Sequence, residues 1–425
     1  MKVYVEPNHE LPIVSLSLAF RVGSVCDPPG KEGLARATAR LLRRGAAGLG
    51  AFEVEAALDA LGGEMTNDVG LSLTTFGFEV IARNADAFVD QAAAVLAGPA
   101  FDAGELGRLL RETEGELVEA RDNDRGLAYR ALRRALYEGH PYARRSAGTL
   151  ASLRAIGRDD VVAFYGRHYN RANALVAVSG DVDEARGREL AERLVAALPA
   201  GPETPDPVPE PAPRPGRHLV FVDKPERTQT QLYVGSLGTH PADDDHLALH
   251  VATTAFGGTF TARLMREVRS KRGWSYGAYA RLPIERHRET FTMWTAPADK
   301  DAAACLELEL GLLAAWHEGG VTPRELAFVK NYLGRSHVFE VDTASKRVHQ
   351  RLEADAYGLP PGYHERYVER VKAVTKDEAD RAVRTRLDPA RLVIALVGTH
   401  AALGAAVEKA AGTLDSRTVL PFDFE

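Results

Sequence analysis

The stretch Gly201–Arg217, GPETPDPVPEPAPRPGR, constrains the chain most, because every second residue from Pro205 to Pro215 is proline. Proline has no backbone N–H to donate and holds its own φ near one value. Such a run enters neither a helix interior nor a central strand. It reads as a semi-rigid, extended connector. It divides the 425 residues into halves of nearly equal length, 1–200 and 218–425, each large enough for a domain.

Equal halves invite a search for a repeat. ALVAVSGDVDEARGRELAERLVAAL, from Ala174, has a counterpart in RLVIALVGTHAALGAAVEKAAGTL, from Arg391: an apolar run, a glycine turn, then a helical pattern. Gly180 and Gly398 stand 218 apart. Asp159 in LRAIGRDDVVAFY and Asp377 in VKAVTKDEADRAV are again 218 apart, and Glu105 in FDAGELGRLL and Glu325 in VTPRELAFVK are 220 apart. Strand–turn–helix pieces recur in any chain of this class, but unrelated ones would not keep a nearly constant offset. Each half opens on alternating strand (VSLSLAFRVGS; TQLYVGSLGT), has a helix at 34–44 or 243–256, and returns to strand (LSLTTFGFEVIA; TFTMWTA). The expected fold is α+β: two homologous domains, each a mixed, mostly antiparallel sheet packed with helices, arranged as a clamp.

Charge and composition exclude several functions. Asp and Glu outnumber Lys and Arg, 59 to 53, which leaves no electrostatic basis for nucleic-acid binding despite the short basic run RSKRG. Cys26 and Cys305 fit neither a metal motif nor a disulfide framework. The N-terminus MKVYVEPNHELPIV has no basic segment leading into an apolar run, and no 18-residue apolar stretch spans a membrane. The expected location is cytoplasmic, or periplasmic if a leader has been removed.

GLARATARLL, residues 33–42, forms one apolar helix face from Leu34, Ala37, Leu41 and Leu42, with Arg36 and Arg40 stacked four apart. LPIVSLSLAFRVGS, the GLA segment, LDALGGE, ALYEGHPYARRSAGTLASLRAI and YNRANALVAVSGDVD together resemble the N-terminal half of the pitrilysin/insulinase/mitochondrial-processing-peptidase family of zinc peptidases. FGGTFTARLMREVRSKRGWSYGAYA resembles that family's C-terminal half, so the resemblance covers almost the whole chain.

In active members of that family the helix after GLA carries HxxEH. Its two histidines hold zinc and its glutamate activates water. Here those positions are Arg36, Ala39 and Arg40. A guanidinium offers no lone pair and keeps its proton, and alanine is no base. The resemblance places the third ligand in RETEGELVEARDND, at Glu119, with Glu112 as its supporting carboxylate. Without the resemblance this acidic run is a solvated helix face. The expectation is that Arg36 and Arg40 pair with Glu112 and Glu119 and fill the vacant metal site with salt bridges. The family's substrate-binding edge usually reads GGxxNA. Here it is GGEMTN, with Thr66 at the asparagine position and Asn67 after it, so this edge departs from the normal substrate strand. His246 and His250, in DDDHLALHVA, have metal-like spacing but no base between them. They read as structural, with the aspartates starting a helix.

The resemblance assigns Arg269 and Tyr276, in VRSKRGWSY, to contact the substrate carbonyl from the C-terminal half, with Gly273 turning between them and Gly257 and Gly258 binding substrate. Both side chains donate to an oxygen that gains charge. From the residues alone the segment is a helix end with a C-terminal glycine. A chain with this pair but no HxxEH resembles one subunit of a two-subunit metallopeptidase. It would hold no metal itself and be inactive alone, and a homologous HxxEH-bearing partner would hold the zinc while peptides are cut in an enclosed chamber. Two alternatives stay open: a structural core-type scaffold, and a homodimer that binds peptides without cutting them.

Overall fold

A computed structural model describes residues 2–206 and 208–425. Met1 and Pro207, the latter within the proline-rich connector, lie outside the described residues. In the first half, β1 (Lys2–Pro7), β2 (Ile13–Phe20), β3 (Gly63–Val69), β4 (Thr74–Ile81) and β5 (Ala174–Gly180) form one sheet in the order β1-β5-β2-β4-β3. The alternation of IVSLSLAF turns Val14, Leu16, Leu18 and Phe20 to the core. The unbroken apolar run of β5 is buried along its length, as befits an inner strand covered on both faces. β5 runs parallel to β1 and antiparallel to β2; the β2–β4 and β4–β3 pairs are antiparallel.

The second half supplies β6 (His218–Asp223), β7 (Gln231–Leu237), β8 (Ala278–Arg281), β9 (Thr290–Thr295), β10 (Val393–Gly398) and β11 (Ser416–Pro421), ordered β11-β6-β10-β7-β9-β8. From β6 onward the partners and directions follow those of the first sheet, and β11 adds a parallel strand beside β6. Gly180 and Gly398 close β5 and β10. Asp159 and Asp377 are each the second residue of their helices, and Glu105 and Glu325 each the third.

The division at the connector needs amending. The first compact unit comprises Met1–Leu117, Arg144–Val208 and Val338–Leu359; the second comprises Val118–Ala143, Pro209–His337 and Pro360–Glu425. Each unit therefore takes a helical segment from the other half of the sequence, and the physical reason is the second face of each sheet. In the first unit, Val348, Leu352 and Ala356 of the helix Ala344–Tyr357 cluster with Ala19, Leu175 and Ala177. In the second, the helix Asp124–Leu136 lies on β6, β7 and β10, with Leu132 over Gly235, where an added Cβ would fall 3.2 Å from Leu132 and 2.8 Å from the Phe291 carbonyl oxygen.

The connector has no helix or strand among the described residues, and its ends are fastened. In the first unit the Thr204 amide donates to Asn173 Oδ1 (2.7 Å) and Asn170 Nδ2 donates to the Pro202 carbonyl (3.1 Å). In the second, Arg214 pairs with Glu138 at 2.9 Å. No helix among the described residues is long and apolar enough to cross a membrane.

Candidate functional site

The helix Leu34–Leu41 begins at Gly33, whose φ of 101° is left-handed and where a Cβ would fall 3.0 Å from Leu153 and 3.1 Å from the Ala147 carbonyl oxygen. Asp27 ties this start down, accepting from the Gly33 and Ala35 amides at 2.7 Å each. Burial pushes the Asp27 carboxyl up to about 7, against the pull of those two donors.

On this helix Ala39 is fully buried, while Arg36 and Arg40 are partly exposed. Their partner corrects the expected pairing. Arg36 Nη2 meets Glu116 Oε2 at 2.9 Å and Arg40 Nη1 meets Glu116 Oε1 at 3.0 Å, so one carboxylate takes both guanidiniums. Glu112 pairs instead with Arg44, one turn further on, and that guanidinium holds its carboxyl below the usual range. Glu119 is exposed, with no ion-pair partner among the described residues. The pairs run in opposite senses: a turn forward in arginine number is a turn back in glutamate number. The helix Ala103–Glu119 therefore meets the arginines through its 112/116 row. A four-residue step from Glu112 finds Glu116; the heptad step to Glu119 misses it.

These residues do not fit zinc. Both imidazole positions carry guanidiniums already bonded to the one carboxylate between them, and the base position is a buried methyl. No group of three or more His, Cys, Asp or Glu suited to a metal occurs among the described residues. His246 and His250 are committed elsewhere: His246 Nδ1 contacts Thr239 Oγ1 (2.9 Å), His246 Nε2 contacts the Tyr363 hydroxyl (3.3 Å), and His250 Nε2 contacts the Tyr367 hydroxyl (3.0 Å). Burial lowers them to about 3 and about 4.

In the second unit, the residues Thr254–Gly258 and Arg266–Ser270 each form a turn of π-helix, a rare geometry that concentrates at functional sites. Four cations lie between Arg266 and Arg272. Arg266, Lys271 and Arg272 converge on Glu267, at 3.5, 2.8 and 3.2 Å, and hold its carboxyl low. Arg269 meets no carboxylate among the described residues. It lies between two exposed rings, with its guanidinium carbon 4.6 Å from the Phe260 centroid and 4.3 Å from that of Tyr276. Tyr276 is 83% exposed, so its hydroxyl is available to a ligand. Gly273 turns the chain between them at φ 67°. Of the two glycines expected to bind substrate, Gly258 is exposed and Gly257 is buried against β8: a Cβ there would fall 2.5 Å from the Ala280 nitrogen. Phe260 was missed from the sequence; its signal is an aromatic residue immediately after the FGGT turn.

The family description "Insulinase (Peptidase family M16)" matches residues 2–150, and "Peptidase M16 inactive domain" matches residues 155–333. An uncharacterized zinc protease of Rickettsia bellii is 27% identical over 63% of this chain and 64% of its own length. The non-peptidase homolog YmxG of Helicobacter pylori is 22% identical over 93% of this chain and 91% of its own. Among solved structures, a peptidase M16 inactive domain from Pseudomonas fluorescens superposes with a TM-score of 0.87 at 27% identity, covering 93% of this chain and 95% of that one.

Proposed function

Because this chain belongs to the insulinase-like peptidase family M16, we propose that it is a non-metal-binding subunit of a two-chain peptidase, presenting Arg269 and Tyr276 to a peptide held at a homologous partner's HxxEH site. One observation carries the reading. Arg269 is the cation of its segment without a carboxylate among the described residues, and its half-buried side chain stacks on two exposed aromatic rings. A guanidinium that stacks on rings and meets no carboxylate keeps its planar fork of N–H donors free for an incoming oxygen. The guanidinium and the Tyr276 phenol would donate hydrogen bonds to the carbonyl oxygen as it gains negative charge. The chain's own first half adds no acid, base or metal, because Arg36, Ala39 and Arg40 supply none.

The test is reconstitution with an HxxEH-bearing homologue from the same genome. Peptidase activity on mixing should exceed that of the homologue alone. Arg269→Ala or Tyr276→Phe should lower turnover by about 10²–10³, as loss of an oxyanion donor does. Unchanged turnover in both variants would remove the catalytic role. No gain on mixing favours the second reading, a peptide-binding or structural homologue without peptidase activity. The likeness to a protein named a non-peptidase homolog over nine-tenths of its length supports that alternative.

A further inference from the structure

We propose that Arg125 is a carboxylate-binding residue that serves the same peptide as Arg269 and Tyr276, taking an acidic side chain or the C-terminus along its length. All of these residues lie in the second unit. The choice of a peptide rests on the reading of Arg269 and Tyr276 above; the carboxylate site rests on the surroundings of Arg125.

Those surroundings follow from the alternation of two strands. Ala278 and Ala280 of β8 and Phe291 and Met293 of β9 turn to the core, so Tyr279, Arg281, Thr292 and Trp294 line the other face of the sheet. Tyr279 stands directly opposite Trp294, and Trp294 stands opposite Tyr233 of β7 on its other side. The Tyr279 and Trp294 rings stack, with centroids 6.0 Å apart and planes 1° apart, and both are half-buried. The helix Asp124–Leu136, packed on β7, brings Arg125 over this aromatic shelf, with its guanidinium carbon 3.7 Å from the Trp294 centroid.

Charge and donors identify the ligand. Arg125 meets no carboxylate among the described residues. The two acids nearest it in sequence are taken: Asp124 by Lys224 at 2.7 Å and Arg227 at 3.5 Å, and Asp122 by Lys224 at 3.8 Å. The outward row of β8 and β9 contains no acid and adds a second cation, Arg281, exposed and also without a carboxylate among the described residues. The Arg125 side chain is exposed, and its Nε donates to the Tyr233 hydroxyl at 3.3 Å, which leaves the Nη groups to a ligand. Stacking on Trp294 fixes the plane of the fork without using an N–H. Arg125 is also the second residue of its helix, where the helix dipole opposes a cation and favours an anion, so the same field draws a carboxylate to the guanidinium. Tyr276 stands three residues before Tyr279, about 10 Å at the rise of a strand. A peptide with a carbonyl at Tyr276 therefore reaches the shelf within a few residues.

The test is fluorescence titration of the full chain at low ionic strength with three N-acetylated alanine–valine octapeptides: an amide with one central glutamate, its glutamine counterpart, and the glutamine peptide as the free acid. At least one anionic peptide should bind about tenfold more tightly than the neutral one, the worth of one charge-assisted contact, and should change the emission of Trp294 beneath the guanidinium. A lead for the glutamate amide gives the site to acidic side chains; a lead for the free acid gives it to the C-terminus. Added salt should erase the preference. Arg125→Gln should abolish it and leave the neutral peptide's affinity in place, while Arg125→Lys, which keeps the charge without the fork, should retain part of it. Trp294→Phe should silence the emission change while calorimetry still finds the preference. Equal binding of all three peptides, binding of none, a preference that survives Arg125→Gln, or an emission change that survives Trp294→Phe overturns the proposal. So does an Arg125→Gln variant that weakens all three alike, the mark of a purely structural stack. Arg269→Ala separates the two readings. It should weaken all three peptides equally and leave the preference intact; if it weakens none while the preference stands, the reading of Arg269 fails and that of Arg125 holds.

Discussion

Glu309 stands in the middle of the helix Asp299–Gly319 with no solvent exposure, and its Oε2 has no hydrogen-bond partner. Its surroundings are Cys305, whose sulfur lies 4.0 Å from Oε1, and Thr295, whose hydroxyl opposes the shift. Burial pushes the carboxyl from 4.5 up to about 8, so the folded protein keeps it protonated at neutral pH. The sign follows from linkage. The folded value lies above the unfolded one, so the stability tied to this proton is complete below pH 4.5 and is lost as pH rises toward 8. At pH 7 the gap from 4.5 corresponds to about 3 kcal/mol at 1.36 kcal/mol per pH unit. Glu309→Gln keeps the shape and an oxygen for Thr295 but cannot ionise. It should therefore stabilise the second unit by about 3 kcal/mol at pH 7, roughly 6–12 °C in melting temperature for a unit of this size. At pH 4 the gain should vanish. Trp274, Trp294 and Trp316 all lie in the second unit, so tryptophan fluorescence during urea or thermal unfolding reads that unit directly. A variant with no gain at pH 7–8 and an unchanged pH slope would falsify the claim that the chain folds around a neutral Glu309.

Three further outcomes are expected. His246 is buried and held near 3, chiefly by burial, so the unfolded chain takes up its proton first as pH falls below 6.5; the second unit should lose about 2 kcal/mol by pH 5 from this group, with a smaller share from the more exposed His250, and His246→Gln should flatten the acid limb of the fluorescence-monitored stability curve. Arg133→Met strands Glu289, which also accepts from the Tyr137 hydroxyl at 3.0 Å, as a buried unpaired charge and should cost about 3–5 kcal/mol in urea unfolding, most of it recovered by adding Glu289→Met. Gly257→Ala drives a methyl to 2.5 Å from the Ala280 nitrogen and should cost about 1–3 kcal/mol in thermal unfolding.

The legible parts of the fold were those that local chemistry dictates. The alternation in IVSLSLAF and the unbroken run in ALVAVSG are properties of successive residues, and both became strands with the burial they imply. The loss of metal chemistry was equally plain, since it depends on which functional groups Arg36, Ala39 and Arg40 carry. The partner of the arginine pair was not legible. Glu112, Glu116 and Glu119 lie on one helix within two turns, and their sequence spacing does not say which turn faces the arginines. That depends on the direction and depth at which two helices cross. Phe260 was hidden for the same reason: it lies sixteen positions before Tyr276, and only the folded chain brings both rings to Arg269.

The sequence by itself determined two α+β halves, a proline connector between them, and a first half without the groups that hold zinc. Each of these follows from residue type and period along the chain, where the physics is local: a missing N–H, an apolar stripe, a side chain with no lone pair. Only the tertiary structure decided that each sheet is covered by a helix from the other half, that Glu116 serves both arginines, and that Arg269 stays unpaired while its neighbours share Glu267. Those are choices among partners of equal chemistry. They turn on distances of a few ångströms between segments far apart in the chain, which packing sets and composition does not.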